Sequence, residues 1–482
     1  MKNVFLFTIA LFCGTCIAFS QEQSGKFIPT YYIKYGSRPG AEHSAEYSSR
    51  FDLIIASYNF NPWAEKGLNS WRALRSYNPK IIMAVYQMGP SECESFIKNN
   101  RGLGAGWEWI KANHGANAGP ERWTGSGHKY SYLTNSFYPS ERLMNIGNPG
   151  WQKYWIEKTY EDRYVIKLSS YEGADAIFSD NTEFNVVWQN SWYDENNPGK
   201  AEFKDYPLDY ASADGIYDNT KWHKDMKAFI NQAVPFLASK PNPVKLILNF
   251  GHMGNHPEYW IELDTMKNRP YAAMEEGAFI NPWSNTFDID DWKTKINVME
   301  NLKNIAALMN HRGEVTTGQG MGKMDIVMTE GNMGPATGWD ALWFSMTSFL
   351  MALNENKLNG FFGFTVWGYA ENYFLDEYDP TNLHLGKPLG DYYISTSGAS
   401  KDVAFREYED GWVVTNVPHT NHKINIPVPF GKAWVVTHKN LKNPSSDPLV
   451  TKFDIGKNRG LILLKEGKKI GNQDNLNPGL KN

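Results

Sequence analysis

Short apolar runs recur along the chain, separated by segments long enough to hold a helix. Each run is too short to be a helix itself, and its composition is typical of a buried strand. The eight runs are Phe27–Tyr32, Leu53–Tyr58, Lys80–Tyr86, Ala174–Phe178, Val244–Asn249, Tyr271–Met274, Asp325–Thr329 and Gly360–Val366. Eight strands alternating with helix-sized connections predict an α/β fold, a (β/α)8 TIM barrel.

Four segments carry apolar residues at helical spacing, and we expect them in the outer ring of the barrel. They are Asn148–Tyr160, Lys221–Leu237, Val298–Met309 and Ala341–Leu353. The connection at about 90–147 is too long for an ordinary loop, so we expect a functional lid or wall there. A doubly wound sheet would need a Gly-rich loop after a strand, but Gly318–Lys323 precedes its strand and is interpreted as a turn.

The pattern changes to alternating, strand-length runs after about Thr396. These runs are Val403–Tyr408, Gly411–Val417, Lys423–Val428, Ala433–Thr437 and Leu461–Leu464. They predict a small β-sandwich over residues 396–470, after a barrel over residues 21–395. Residues 471–482 are rich in Asn and are expected to form a flexible tail.

The first 20 residues have the pattern of a secretory signal peptide. A charged start precedes the apolar run Val4–Ala18, and Ala18-Phe-Ser20 is a small-x-small cleavage site. We therefore expect a secreted or periplasmic protein whose mature chain begins near Gln21. Cys13 and Cys16 lack the Gly or Ala expected just before a lipidated cysteine, so lipoprotein anchoring ranks second.

The mature chain would keep a single cysteine, Cys93, so no internal disulfide is expected and stability must come from a large core. No later run approaches the roughly 18 apolar residues that a membrane span needs. The net charge of −4 gives no case for a nucleic-acid partner, since a nucleic-acid binder should carry a concentrated basic face.

Aromatic residues are unusually frequent, with 18 Trp, 26 Tyr and 26 Phe, and many stand beside Gly, Asn and Asp. A pyranose presents carbon-bound hydrogens on one face and hydroxyls around its rim, so it suits an aromatic platform with polar neighbours. We therefore expect a polysaccharide or oligosaccharide partner. For any single Trp, a place in the core is the competing interpretation.

The run Ala174–Phe178 ends abruptly in the polar sequence Asp180-Asn-Thr-Glu183. Such a cluster is costly to bury without a purpose, and the carboxyl ends of TIM-barrel strands form the active face. We therefore expect Asp180 to point into the mouth of the pocket. The alternative is that Asp180 is the N-cap of a following helix, a position that Asp and Asn favour.

Cleavage of a glycosidic bond needs two carboxyl groups, one to protonate the leaving oxygen and one to attack the anomeric carbon or activate water. Asp180 would be the ionised partner. A second acidic pair, Glu275-Glu276, follows the apolar start of the Tyr271–Met274 run. An apolar wall or a neighbouring like charge at this point would keep the acid protonated near neutrality.

Strand alternation allows only one of these two glutamates to face the pocket, because successive side chains point to opposite faces. We select Glu276, since Gly277 follows it and lets the strand turn outward. Glu275 would then meet the helical layer or a cation such as Lys267 or Arg269. Glu275, Glu183 and Glu330 are kept as alternative catalytic residues.

Four stretches together carry a resemblance to a known group. They are "LMNIGNPGWQKYWIE", "GADAIFSDN", "AMEEG" and "AFREYEDGWVVTNV". In this order they resemble hypothetical secreted glycosyl hydrolases of the α-glycosidase-like (β/α)8 barrels and, more distantly, the dextranases. Where that group has Gly after the Asp of the fourth strand, this chain has Ala176 after Asp175.

The resemblance implies roles for particular residues. The acid that ends the fourth strand is expected to be the nucleophile or its equivalent, which is Asp180 here. The acid beside a Gly, Glu276, is expected to be the proton donor. Barrel glycosidases of another lineage use a glutamate at the end of the seventh strand, which makes Glu330 the strongest outsider.

Six further residues are candidates for substrate binding, each with a structural role as the alternative: Tyr58, Asn181, Asn249, His252, Trp283 and Trp367. A zinc pair of His252 and His256 is disfavoured because Pro257 and nearby glycines indicate a loop. A calcium loop over Asp194–Asp205 is disfavoured because Pro198 occupies a ligand position. We therefore expect no metal and no cofactor. The carboxylate pair and the resemblance together predict a glycoside hydrolase. The rival function is a non-catalytic glycan-binding barrel at the cell surface.

Overall fold

The computed structural model describes most of the two predicted domains. The described residues are 26–34, 44–56, 71–89, 91–93, 133–135, 141–144, 146–160, 174–186, 192–194, 219–281, 288–312, 321–328, 335–354, 359–367, 371–418 and 421–471. The predicted signal peptide, most of the 90–147 connection and the tail beyond residue 471 lie outside them. So do three candidate site residues, Tyr58, Trp283 and Glu330.

Eight parallel strands form a barrel. They are β1 Tyr31–Lys34, β2 Leu53–Ala56, β3 Ile82–Met88, β4 Ala176–Asp180, β5 Lys245–Asn249, β6 Ala272–Glu276, β7 Ala306–Arg312 and β8 Gly360–Trp367. Each strand pairs with the next in sequence order. A parallel bridge between Thr30 and Phe362 joins β8 back to β1, and the Phe362 amide donates to Pro29 O at 2.8 Å. The predicted TIM barrel is confirmed.

The barrel interior is filled by side chains from alternate positions of every strand. Its core consists of Tyr31, Ile33, Leu53, Ile55, Ala84, Ala176, Phe178, Ile247, Ala272, Met274, Ala306, Leu308 and Phe361. The intervening residues point outward to the helical layer, where they join the largest apolar cluster. Because alternation is strict within a strand, the position two residues beyond the last apolar interior residue also faces the barrel axis.

Helices pack around the strands. Those described are α1 Ala45–Ser48, α2 Trp71–Tyr77, α3 Pro149–Tyr160, α4 Asn219–Ala238, α5 Pro257–Thr265, α6 Ile289–Asn301 and α7 Gly338–Ala352. Three of the four predicted helices, at 148–160, 221–237 and 341–353, are therefore confirmed. Helix α7 begins at a capping box, in which Asp340 N donates to Thr337 Oγ1 at 3.2 Å and Thr337 N donates to Asp340 Oδ2 at 2.9 Å.

The fourth predicted helix, Val298–Met309, is wrong in its second half. Helix α6 ends at Asn301, and the following turn leads into strand β7 at Ala306. The turn is held by Asp264, whose carboxylate accepts the backbone N–H groups of Lys303, Asn304 and Ile305 at 2.7–3.2 Å. Ala, Leu and Met favour helices, but here the barrel edge between β6 and β8 overrides that preference.

The predicted seventh strand, Asp325–Thr329, is also wrong. Met321–Asp325 is a 3-10 helix, and Val327–Met328 pairs antiparallel with Ala336–Thr337 outside the barrel. The barrel needed a strand between β6 and β8, and the run beginning at Ala306 supplies it. The reason for placing Glu330 at the end of the seventh strand is thereby removed.

The connections after β3 and β4 contribute strands to a small antiparallel sheet. Its strands are Ser91–Cys93, Glu141–Leu143, Leu133–Asn135 and Trp192–Asp194, in that order across the sheet. The two connections, which leave neighbouring barrel strands, are therefore paired with each other.

The carboxyl-terminal region forms the predicted β domain. Its strands are β9 Tyr393–Ile394, β10 Val403–Glu407, β11 Gly411–Asn416, β12 Lys423–Pro427, β13 Ala433–Val436, β14 Lys452–Ile455 and β15 Gly460–Lys465. Five of them form one antiparallel sheet in the order β9-β10-β11-β15-β13, and β12 pairs with β14. Strands β9 and β14 have no counterpart among the predicted runs.

The two faces of the five-stranded sheet have different partners. One face, with Phe405 and Val414, packs on Ile426 and Phe453 of the β12–β14 pair. Trp412 packs against this inner cluster, and Trp434 packs against the larger cluster that includes the barrel helices. Among the described helices, none is long and apolar enough to cross a membrane.

Candidate active site

Polar side chains replace apolar ones where the barrel strands end. On β3 to β7 the alternation that places Ala84, Phe178, Ile247, Met274 and Leu308 in the interior continues to Tyr86, Asp180, Asn249, Glu276 and Asn310. The strand register is consistent with this arrangement, since Glu276 lies opposite Asn310. A band of hydrogen-bonding groups therefore lines the carboxyl end of the barrel, the active face of this fold.

Asp180 is held by three donors. The Tyr86 hydroxyl donates a short hydrogen bond to Oδ2, Asn249 Nδ2 donates to Oδ1 at 2.8 Å, and the Asn181 amide donates to Oδ1 at 3.0 Å. Burial raises the pKa of the Asp180 carboxyl, and these three hydrogen bonds oppose the rise by stabilising the carboxylate.

The chain leaves β4 in a tight turn rather than a helix. Asn181 adopts a left-handed conformation with φ 52°, which Asn tolerates better than most residues. The Thr182 amide then donates to Asn249 O at 2.9 Å, which ties this turn to β5. No helix begins within residues 181–186, so the N-cap interpretation of Asp180 is wrong for this described segment.

Glu276 lies on the same side of the barrel as Asp180. The Nδ2 atom of Asn249 donates to Glu276 Oε2 at 3.2 Å, and it also donates to Asp180 Oδ1 at 2.8 Å. Two hydrogen bonds of these lengths share one nitrogen, so the two carboxylate oxygens are at most about 6 Å apart. Gly277, with φ 67°, turns the chain directly after Glu276.

Glu275 points the other way, into the helical layer. It is 6 % exposed, and its Oε2 accepts the Met253 amide at 2.9 Å. Its cation is Lys295 of α6, at 3.7 Å, rather than the predicted Lys267 or Arg269. Lys295 also pairs with Asp291 at 3.0 Å. Burial raises the pKa of Glu275, and the Lys295 ammonium opposes that rise.

Glu183 and His252 form an ion pair beside Asp180. His252 Nε2 lies in short contact with Glu183 Oε2. The pair depends on an unusual backbone after β5, because Gly251 and His252 both have positive φ, 59° and 62°. Burial disfavours the imidazolium, but the Glu183 carboxylate outweighs it and raises the pKa of His252 to about 8. Burial raises the pKa of Glu183, and His252 opposes that rise.

Two further residues considered from the sequence are Trp367 and His256. Trp367 ends strand β8, but its side chain lies outside the described part of the chain. His256 stacks on Tyr259 at 4.7 Å between ring centroids, and its Nδ1 lies 3.0 Å from Glu258. No group of three His, Cys, Asp or Glu side chains among the described residues is arranged to hold a metal.

Two residues at the site were missed as candidates from the sequence. Tyr86 bonds Asp180 directly, and Asn310 stands opposite Glu276. The signal for Tyr86 was available, since it lies two positions after Ala84 at the end of a predicted strand. Asn310 was hidden because its segment was predicted to follow a helix, so no alternation was applied to it.

Solved structures match the chain over most of its length at low similarity. A glucosidase II alpha subunit bound to Glc1Man2 has a TM-score of 0.41 and 9 % identity, covering 91 % of this chain and 45 % of that one. This chain thus spans less than half of that subunit. An alpha-amylase from Lactobacillus plantarum has a TM-score of 0.40 and 9 % identity, covering 90 % and 98 %.

The isomaltulose synthase SmuA from Protaminobacter rubrum has a TM-score of 0.40 and 8 % identity, covering 91 % of this chain and 99 % of that one. No family model matches the sequence, and no curated protein matches it. At these scores the similarity carries no argument about chemistry, which depends on the side chains described above.

Proposed function

We propose that this protein is a glycoside hydrolase in which Asp180 is the nucleophile and Glu276 the general acid and base. The observation that carries the proposal is the Asn249 amide, which reaches both carboxylates at 2.8 Å and 3.2 Å at the carboxyl end of the barrel. Two carboxyl groups fixed at a set spacing in a barrel mouth are the minimum equipment for cleaving a glycosidic bond.

The roles follow from the different surroundings of the two carboxyl groups. Asp180 accepts from Tyr86, Asn249 and its own turn, so its ionised form is stabilised for attack on the anomeric carbon. Glu276 has the Asn249 donor at the longer distance and would protonate the leaving oxygen, then activate water in the second step.

The spacing of the carboxylates favours retention of anomeric configuration. Retaining enzymes hold the two carboxyl groups about 5–5.5 Å apart, and inverting enzymes hold them about 6.5–9.5 Å apart to admit a water. The shared Asn249 bridge limits the closest oxygens of Asp180 and Glu276 to about 6 Å, nearer to the retaining value.

The substrate we propose is an extracellular polysaccharide or oligosaccharide. The predicted signal peptide directs the chain out of the cytoplasm, and the aromatic-rich composition suits sugar rings. A non-catalytic glycan-binding barrel at the cell surface is the alternative. That role would not require two carboxylates held on a common amide.

The test is replacement of Asp180 by Asn, assayed as reducing ends released from a polysaccharide panel. We expect a folded protein whose turnover falls by at least ~10³-fold, because the change removes a charge used in the transition state. Asp290→Asn, at a carboxylate that is 87 % exposed on α6, is the matched control and should stay fully active. Nuclear magnetic resonance of the first product anomer should show retention.

A folded, nearly fully active Asp180→Asn variant contradicts the assignment of the nucleophile. Wild-type protein that binds a polysaccharide of the panel without releasing reducing ends favours the glycan-binding alternative instead. An inverted product anomer leaves hydrolysis in place and refutes the retaining geometry.

A further inference from the structure

Four buried polar atoms in one part of the barrel interior have no hydrogen-bond partner among the described residues. They are the Tyr31 hydroxyl, both polar side-chain atoms of Asn310, and Thr365 Oγ1. Asn310 and Thr365 are 0 % exposed, and Tyr31 is 1 % exposed. More than nine-tenths of buried polar groups in proteins are hydrogen-bonded, so such a group of unpaired atoms needs an explanation.

The residues that carry these atoms are neighbours. Asn310 stands opposite Glu276 on one side and opposite Gly363 on the other. Gly363 is where the ring of Tyr31 lies, since a Cβ atom on this glycine would come within 2.6 Å of Tyr31 Cε1. Thr365 follows two positions later on β8 and shares the interior face of Phe361 and Gly363.

This strip continues the proposed catalytic band around the barrel from Glu276. Asn310 is next to Glu276 across the sheet, and Tyr31 is close enough to feel its charge. Burial and that negative charge keep the pKa of the Tyr31 hydroxyl well above its ordinary value, so the hydroxyl retains its proton as a donor.

The chemistry of the strip is neutral. A phenol and an aliphatic hydroxyl can each donate and accept, and a carboxamide offers one acceptor oxygen and two donor hydrogens. The strip itself contains no charged group to balance an ion. The hydroxyl groups of an uncharged ligand both donate and accept, so they can satisfy all of these atoms.

We propose that Asn310, Tyr31 and Thr365 form a recognition site for the hydroxyl groups of a neutral sugar. This site rests on the proposed function, because it would bind the sugar ring whose glycosidic bond Asp180 and Glu276 cleave. The polar atoms are covered in this arrangement, so contact with a sugar requires rotation of the Asn310 or Tyr31 side chain. The substrate class follows: a neutral hexose or pentose rather than a uronic acid in the innermost position.

The test uses substitutions that keep shape and remove polarity: Asn310→Leu, Tyr31→Phe and Thr365→Val. Because these atoms have no partner among the described residues, removing them should leave the melting temperature unchanged or raise it. Binding is measured by calorimetry with D-glucose, D-galactose, D-mannose and D-xylose. For the sugar that wild type binds best, Asn310→Leu should raise Kd by at least about tenfold, as expected when a sugar hydroxyl loses its partner.

Each variant has a matched control of the same residue type whose polar atoms are bonded. Asn359 Nδ2 donates to Met299 O and Ala352 O, Tyr408 OH donates to Leu350 O at 2.7 Å, and Thr415 Oγ1 donates to Thr347 Oγ1 at 2.9 Å. Asn359→Leu, Tyr408→Phe and Thr415→Val should therefore lower the melting temperature and leave Kd unchanged.

The proposal is overturned if the three test variants lower the melting temperature as their controls do and leave Kd unchanged, which is the result for atoms paired by a structural water. It is also overturned if wild type binds none of the four sugars. Repeating the binding measurements in an Asp180→Asn background separates recognition from catalysis. Binding that depends on Asn310 without any hydrolysis by wild type refutes the proposed enzyme and supports the recognition site.

Discussion

At the scale of residues, the side-chain nitrogen of Asn249 connects the two carboxylates of the candidate site. Asn249 Nδ2 lies between Asp180 Oδ1 and Glu276 Oε2, so it fixes the spacing of two groups that lie on β4 and β6. The neighbouring Glu183 forms an ion pair with His252. Glu275 forms an ion pair with Lys295 and accepts a hydrogen bond from the Met253 amide. Of the four described acids proposed for catalysis, only Asp180 and Glu276 share a donor in the barrel mouth.

The assignment of Glu276 as the acid predicts a substrate-dependent loss of activity. Glu276→Gln should lower turnover of a natural polysaccharide by about 10²–10⁴-fold. The kcat/KM of an aryl glycoside, which reports the first step, should be affected far less, because its leaving group departs without a proton. Values of kcat/KM on both substrates test this expectation.

Parallel Glu183→Gln and Glu330→Gln variants complete the comparison. An equal loss of kcat/KM on both substrates in Glu276→Gln contradicts its role as acid. Selective damage to the natural substrate by Glu183→Gln or Glu330→Gln, with Glu276→Gln active, transfers the role to that residue.

The ion pair of Glu183 and His252 predicts a pH-dependent stability. The pKa of His252 rises from its ordinary 6.5 to about 8 in the folded protein. The protonated ring therefore stabilises the fold fully below about pH 6.5, and this contribution is lost as the pH rises through about 8. It amounts to on the order of 1–2 kcal/mol, since one pKa unit is about 1.4 kcal/mol.

Melting temperatures of wild type and His252→Gln, measured from about pH 5.5 to 9, check this contribution. The difference between the two proteins should be largest at acidic pH and shrink above pH 8. In Glu183→Gln, which lacks the partner carboxylate, the same His252 substitution should show little pH dependence. A difference that grows with rising pH contradicts the assignment.

At the scale of elements, the turn between α6 and β7 determines where the seventh barrel strand begins. Asp264 on α5 is 4 % exposed and accepts three successive amides of the turn, from Lys303 to Ile305. The turn positions Ala306 opposite Ala272 on β6, and this register puts Asn310 beside Glu276. A buried carboxylate on one helix thus places a residue of the candidate site on a strand.

Asp264→Ala should therefore destabilise the protein by about 3 kcal/mol or more, because it leaves several buried N–H groups without acceptors. Urea denaturation of the variant and wild type measures the loss. The exposed Asp290→Asn change on α6 should alter the free energy of unfolding by less than about 0.5 kcal/mol. Equal stability of Asp264→Ala and wild type contradicts this account of the turn.

At the scale of the whole molecule, the barrel and the β domain share one apolar cluster. Helix α7 lies between them, with thirteen of its fifteen residues buried. Arg406 of the β domain donates to the carbonyls of Leu350 and Met351 at 3.0 Å and 2.6 Å, at the end of α7. Gly460 approaches so closely that an added Cβ would lie 2.6 Å from Trp343 O.

Deleting the chain after Thr396 should consequently expose the outer side of α7 and lower the melting temperature or solubility. Arg406→Met is the milder variant. It removes the Arg406 donor from the Met351 carbonyl, while Tyr408 still donates to Leu350 O, and should cost about 1 kcal/mol or more of unfolding free energy, with substrate choice unchanged. A truncated barrel that melts as wild type but no longer binds long polysaccharide would identify the β domain as a binding module.

Features that depend on neighbours along the chain could be predicted from the amino-acid pattern alone. Strand alternation is local, so it placed Glu276 in line with Ala272 and Met274, and Glu275 on the opposite face. Seven of the eight barrel strands and three of the four predicted helices could be predicted for the same reason. The strands of the β domain could also be predicted from their alternation, except for β9 and β14.

Contacts between residues far apart in the chain could not be predicted from local patterns. Asp264 acts on a turn about 40 residues away, and without it the Ala-Leu-Met run at Ala306 has no local reason to be a strand. Lys295, rather than a nearer cation, pairs with Glu275 because α6 packs over β6. Asn249 joins Asp180 and Glu276 because parallel pairing of β4, β5 and β6 brings three separate strand ends together, and no local pattern encodes that distance.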